Sequence, residues 1–72
     1  MLDREKLESL KAASREENLG AAARICAELA LDAKGTPDEF DAEELTLAVK
    51  LRDLPRLGVI ASELMDDSPP LL

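Results

Sequence analysis

Five carboxylates crowd the seven-residue segment DEFDAEE, residues 38–44, which is the most conspicuous chemical feature of the sequence. Paired carboxylates can bind a metal ion or act together as general acid and base. The spacing does not fit a calcium loop, which alternates Asp or Asn around a central Gly and ends in a distal Glu. Acids in the first turn of a helix interact favourably with its positive end. We therefore expect this segment to begin a helix, and we predict no metal site.

Cys26 is the other residue whose side chain could do chemistry. It is the only cysteine, and the sequence contains no histidine that could activate it as a nucleophile. One cysteine cannot form an internal disulfide or a zinc site. Because Cys26 falls on an apolar helix stripe, we expect a buried thiol that packs as a small apolar group. The three glycines are isolated and make no phosphate-binding loop. We predict that the protein is not an enzyme and has no cofactor or small-molecule substrate.

The net charge is −7, with 16 acids against 9 bases. This balance argues against binding to nucleic acid, which needs a basic surface, and against anionic membranes. No apolar run approaches the roughly 18 residues of a membrane span. The first ten residues, MLDREKLESL, lack the apolar core of a signal peptide. Together with the single unpaired cysteine, these features predict a cytoplasmic protein.

The residue types favour helices over strands. Leucine and alanine, which are good helix formers, must supply most of the core, because the sequence has a single aromatic residue. Capping residues and apolar stripes predict four helices, at about residues 3–16, 18–34, 37 or 41 to 52, and 53–67. The expected caps are Asp3, Asn18, Thr36 and Asp53. We therefore predict an all-α fold of three or four short antiparallel helices in one domain, residues 1–67. The prolines in SPPLL cannot continue a helix, so residues 68–72 should form a frayed tail.

The two halves of the chain align at an offset of 35 residues. The offset pairs the expected caps of the second and fourth helices, and it pairs Leu10 with Leu45, Ala13 with Ala48, Ile25 with Ile60, and Leu29 with Leu64. A period of this length is typical of stacked helical hairpins. We therefore predict two stacked hairpins whose apolar stripes occupy equivalent positions in the core.

The segment RDLPRLGVIASELMDDSP resembles the second half of a tetratricopeptide repeat. In that family a Gly-Asp-aromatic turn leads into the second helix of the repeat, a small residue packs inside it, and a proline closes it. Here Asp53 and Leu54 stand at the turn and Pro69 at the closing position. Ala22 takes the small position in the first half, whereas the second half has a leucine there. The resemblance covers about residues 7–69 and implies helical hairpins.

The third predicted helix is apolar on more than one face. Leu45 and Ala48 lie on its core stripe, whereas Phe40, Leu47 and Leu51 lie largely off it. A helix with apolar residues on several faces is normally buried on several faces. The helix could be the central helix of the bundle, or its outer face could bind a partner. We assign Phe40, Leu47 and Leu51 as candidate partner-binding residues.

These observations lead to three hypotheses about function. The first is a small acidic protein–protein interaction module, such as an adaptor, co-chaperone or regulatory subunit, that binds a protein partner or a second copy through helices three and four. The second is an acidic inhibitor that imitates nucleic acid and blocks a basic site on its target. The third is a purely structural subunit without a ligand. The first two differ in their response to salt, because salt screens exposed charges and leaves apolar contacts largely unaffected.

Overall fold

The computed structural model describes residues 2–65 and contains four α-helices in that range. They are α1 (Arg4–Arg15), α2 (Leu19–Ala33), α3 (Glu39–Lys50) and α4 (Leu54–Leu64). The all-α prediction is confirmed. The end of the predicted domain, at residue 67, and the predicted tail, residues 68–72, lie outside the described residues. None of the four helices is long and apolar enough to span a bilayer.

Three of the four helices begin where the sequence predicts. Asp3, Asn18 and Asp53 are the N-caps of α1, α2 and α4. In each case a side-chain oxygen accepts a hydrogen bond from a backbone amide of the first turn, at distances of 2.8, 3.1 and 3.3 Å. These bonds satisfy amides that have no partner within the helix.

The start of α3 differs from the prediction. The helix begins at Glu39, between the predicted starts at Pro37 and Asp41, and its N-cap makes no side-chain capping bond. The hydroxyl of Thr36 accepts from the amide two residues later, at 3.2 Å, and donates to the carbonyl of Ala33, at 2.6 Å. Thr36 therefore makes the hydrogen bond to a backbone amide that is predicted for a helix cap, but the turn that it closes comes before the helix, which begins at Glu39.

The 35-residue repeat appears in the backbone of two turns. Glu17 and Arg52, which are 35 residues apart, have φ values of 55° and 56° in the left-handed region. In each turn the amide of the following residue donates to the carbonyl five residues earlier, at 2.9 Å. The same left-handed ending thus closes α1 and α3, which supports equivalent hairpins α1–α2 and α3–α4.

The helices pack in a ring in which each helix packs mainly against two others. The contacts α1–α4 and α2–α3 are the most extensive, followed by α1–α2 and α3–α4. At the centre are four fully buried leucines: Leu10, Leu29, Leu45 and Leu57. Leu10 and Leu45 are the repeat-equivalent pair of the alignment. Ile60 is also buried, whereas Leu64 is only partly buried and packs at the edge of this core.

Candidate protein-binding surface

The three candidate partner-binding residues lie along one exposed line of α3. Phe40, Leu47 and Leu51 are 67, 56 and 66% exposed. Leu47 and Leu51 follow Phe40 by seven and eleven residues, which corresponds to about two and three turns of 3.6 residues each. The three side chains therefore share one stripe, on the side of α3 away from its buried residues. Their role in binding stays a prediction.

An apolar groove runs beside this stripe, between α2 and α3. Its volume is about 810 Å³. Ala27, Ala30 and Ala42 are among its lining residues, together with Leu31 and Leu47. The groove exists because the two helices present small side chains to each other along their outer edges, so that nothing fills the space between them. Leu31, on the α2 side, is 74% exposed.

The α2 side of this groove was not predicted from the sequence. The segment LGAAARICAELALDA, which forms α2, is apolar except for one charged stripe of Arg24, Glu28 and Asp32. That pattern indicates burial on more than one face, in the same way as for the third predicted helix. It indicates that α2 has a second apolar face, but it does not indicate whether another helix covers that face or whether it borders an open groove.

Four charged residues border the groove. Glu39 and Glu43 lie on the N-terminal half of α3, and Lys50 lies at the C-terminal end of the same helix. Lys34 follows the end of α2, next to the turn that leads into α3. Within residues 2–65, none of these four side chains takes part in an ion pair with another part of the protein. The charges of Lys34, Glu43 and Lys50 are therefore open to a bound molecule, whereas the Glu39 carboxylate accepts a backbone hydrogen bond.

The acids of α2 itself are engaged elsewhere. Lys6 of α1 contacts Asp32 at 2.6 Å and Glu28 at 3.8 Å. The hydrogen bond from Lys6 to Asp32 raises the pKa of the lysine above its ordinary value. Because these pairs join α1 to α2, the two acids face α1, and the α2 wall of the groove is left mainly apolar.

The acidic segment 38–44 helps to hold the start of α3 in place. The carboxylate of Glu39 accepts a hydrogen bond from the amide of Gly35, at 3.2 Å, and thereby ties the helix to the turn before it. Gly35 has a φ of 78°, a conformation that side-chain-bearing residues rarely adopt. In the part of the chain that the structure describes, no three carboxylates or thiols are placed to hold a metal ion.

Cys26 lies in the core of α2. Its side chain is 2% exposed, and its sulfur approaches the carbonyl oxygen of Leu45 at 3.9 Å. Burial raises the pKa of the thiol from 9.0 to about 11. Because the thiolate is the reactive form, this environment makes Cys26 a packing residue and a poor nucleophile.

We expect Cys26 to react slowly with iodoacetamide at pH 8 in the folded protein and readily in the unfolded protein. The raised pKa lowers the thiolate fraction about a hundredfold, and burial blocks the reagent as well. Mass spectrometry of samples alkylated with and without urea measures both rates. Stability should also fall as the pH rises above about 9, because the unfolded thiol ionises before the folded one. Equal alkylation rates in both samples would show that the thiol is accessible.

Comparisons with family models, curated protein sequences and solved structures find no match for this chain. The tetratricopeptide resemblance therefore stays a prediction. By its fold, this is a small all-α protein with an exposed apolar surface between two of its helices.

Proposed function

We propose that this protein is a small acidic protein–protein interaction module, acting as an adaptor, co-chaperone or regulatory subunit. Its binding site is the α2/α3 surface, by which we mean Leu31, Phe40, Leu47 and Leu51 together with the groove between the two helices. The observation that supports this proposal most strongly is the exposure of these four large apolar side chains, each more than half open to solvent. Leu31 and Leu47 line the groove, and Phe40 and Leu51 continue the stripe of Leu47 beside it. Contiguous exposed apolar surface of this kind marks interaction sites.

The exposed apolar side chains of this surface can supply binding energy. Burial of a leucine or phenylalanine side chain is favourable by about 1.5–3 kcal/mol, so a partner that covers several of them gains substantial binding energy. The groove lies between two antiparallel helices, a shape that accepts a third, amphipathic helix with apolar residues at every third or fourth position. The charged residues at its border would orient the bound helix more than they would strengthen its binding.

The proposed site lies on α2 and α3, whereas the sequence suggested helices three and four. On the described part of α4, one large apolar side chain is well exposed, that of Val59, at 56%. The groove and the remaining exposed side chains are on the other two helices. The proposal includes a non-catalytic role in the cytoplasm. It is supported by the buried thiol and by the absence of histidine from the sequence.

The second candidate is an inhibitor that imitates nucleic acid. It is favoured by the five carboxylates in residues 38–44 and by the net charge of −7. Such an inhibitor would present an unbroken acidic surface to a basic target, whereas Lys34 and Lys50 interrupt the acids around the groove. Partner affinity measured between 50 and 500 mM salt, a range chosen to span strong and weak screening, separates the two. A mimic loses affinity steeply, and an apolar site changes little.

We expect Leu47→Glu to abolish partner binding and Val59→Glu to leave it unchanged. Both side chains are 56% exposed and both variants add one negative charge, but only Leu47 lies in the α2/α3 surface. A photo-crosslinking residue placed at position 47 or 59, in cells that make the protein, should capture a partner from position 47 only. Circular dichroism should show that both variants keep their helices. If Leu47→Glu retains every partner that Val59→Glu retains, the proposed site is wrong.

A further inference from the structure

The charges of α3 are divided between its two ends. Its N-terminal half contains Glu39, Asp41, Glu43 and Glu44, and its last residue is Lys50. The exposed stripe of Phe40, Leu47 and Leu51 runs the length of the same helix. A helix with this arrangement is complementary to itself when it is turned end for end, because the acidic half of one copy then meets the basic end of the other.

The residue spacing fits such an antiparallel pair. With a two-fold axis beside Thr46, Phe40 comes within about one residue, or 1.5 Å along the helix, of the position opposite Leu51 in the second copy. Glu43 comes equally close to Lys50 of the second copy. Leu47 meets its own counterpart across the axis, with an offset of about 3 Å. One register thus brings Phe40 near Leu51 and Glu43 near Lys50. Glu44, which follows Phe40 by one turn on the same stripe, comes opposite Ala48 of the second copy.

The positions of Glu43 and Lys50 around the helix also fit an antiparallel pair. Glu43 and Lys50 both lie on the side of the stripe that faces the groove. A two-fold axis perpendicular to antiparallel helices brings the same side of each helix together, so these two residues face each other twice in the pair. A parallel pair would leave Glu43 and Lys50 of the two copies about seven residues, or roughly 10 Å, apart along the helix axis, so they could not pair.

We propose that the Phe40, Leu47 and Leu51 stripe of the α2/α3 surface binds a second copy of this chain, in a two-fold dimer whose α3 helices pack antiparallel with the axis level with Thr46. The inference rests on the proposed function and names the partner. The overall charge of −7 opposes association. At physiological ionic strength, however, exposed charges more than about 8 Å apart are largely screened. The neighbouring Glu43 and Lys50 of the two copies stay within the range of attraction.

Sedimentation velocity at micromolar concentration, in physiological salt, tests the dimer. The parent should be dimeric. Glu43→Lys and Lys50→Glu should each raise the dissociation constant about tenfold or more, because each places like charges together twice. An equal mixture of these two variants should dimerise again, because each then supplies the charges that the other lacks. The double variant Glu43→Lys/Lys50→Glu should dimerise like the parent. Leu47→Glu should be monomeric, and Val59→Glu should remain dimeric.

Several results would overturn the dimer. A monomeric parent would do so, as would a mixture of the charge variants that stays as dissociated as its components. A dimer that survives Leu47→Glu would place the contact elsewhere. All these residues are exposed in the monomer, so circular dichroism spectra should match the parent, and melting curves should match it at concentrations where the parent is monomeric, which separates lost association from lost folding. A monomeric parent that still loses a different protein partner on Leu47→Glu would refute the dimer alone. A monomeric parent without that loss would refute the proposed function as well.

Discussion

Leu45→Ala should lower the free energy of unfolding by about 2–5 kcal/mol, whereas Leu47→Ala should change it by less than about 0.5 kcal/mol. The two leucines are two residues apart on α3 and lose the same atoms. Leu45 is fully buried at the centre of the ring of helices, while Leu47 is 56% exposed. The first substitution removes apolar contacts and leaves a cavity, and the second removes a side chain that mainly contacts water.

Urea denaturation followed by circular dichroism measures both changes. For a domain of this size, each kcal/mol corresponds to a shift of about 4–8 °C in the melting temperature, so the two variants should separate clearly. The measurement belongs at a concentration where the protein is monomeric, because dimerisation would add a contribution from Leu47. Leu10→Ala supplies a second test, since Leu10 is the repeat-equivalent residue and is equally buried. Similar losses for Leu10→Ala and Leu47→Ala would contradict the packing described above.

The sequence predicted the helices well because their ends depend on local chemistry. Asp3, Asn18 and Asp53 act on amides within the next three residues, so their effect can be recognised without knowledge of the rest of the fold. The start of α3 was less predictable. The hydroxyl of Thr36 bonds in both directions, because it accepts from the amide of Asp38 ahead and donates to the carbonyl of Ala33 behind. That carbonyl is placed by the end of α2, which the local pattern around Thr36 does not specify.

The arrangement of the helices and half of the candidate surface could not be predicted in the same way. Periodicity indicates which side of a helix is apolar, but it does not indicate which helix covers that side. The close packing of α1 with α4 depends on contacts between residues far apart in the chain. Alanine adds a further ambiguity, because it is both a good helix former and a small apolar residue. The alanines at 27 and 30 fit a buried helix and an open groove equally well.

The close approach of α4 to α1 depends on Gly58. A Cβ atom at this position would lie 3.1 Å from the hydroxyl oxygen of Ser14, which is closer than ordinary packing allows. That hydroxyl donates a hydrogen bond to the carbonyl of Leu54, one turn earlier on α4. A glycine in the interior of a helix normally costs about 0.8–1 kcal/mol relative to alanine. Here the cost is offset by the contact between the two helices that pack most extensively.

We therefore expect Gly58→Leu to destabilise the protein by about 1–3 kcal/mol, because overpacking and loss of the Ser14 hydrogen bond outweigh the gain in helix propensity. Gly20→Leu is the matched control. Gly20 is exposed in the first turn of α2, and a Cβ there would have only the Asn18 side chain nearby, at 3.8 Å. That variant should be unchanged or more stable by up to about 1 kcal/mol. Urea denaturation of the two variants measures the difference directly.

A double-mutant cycle shows whether Ser14 is the cause. Helix propensity alone would make Gly58→Ala more stable than the parent. The variant should gain less than this, because its Cβ meets the Ser14 hydroxyl. In Ser14→Ala/Gly58→Ala that hydroxyl is gone, and the nearest remaining atom, the Cβ of residue 14, lies at an ordinary 3.8 Å. The double variant should therefore be more stable than the sum of the single changes, by about 0.5 kcal/mol or more. If the effects are additive and Gly58→Leu melts like Gly20→Leu, then α1 and α4 are not in close contact at this point.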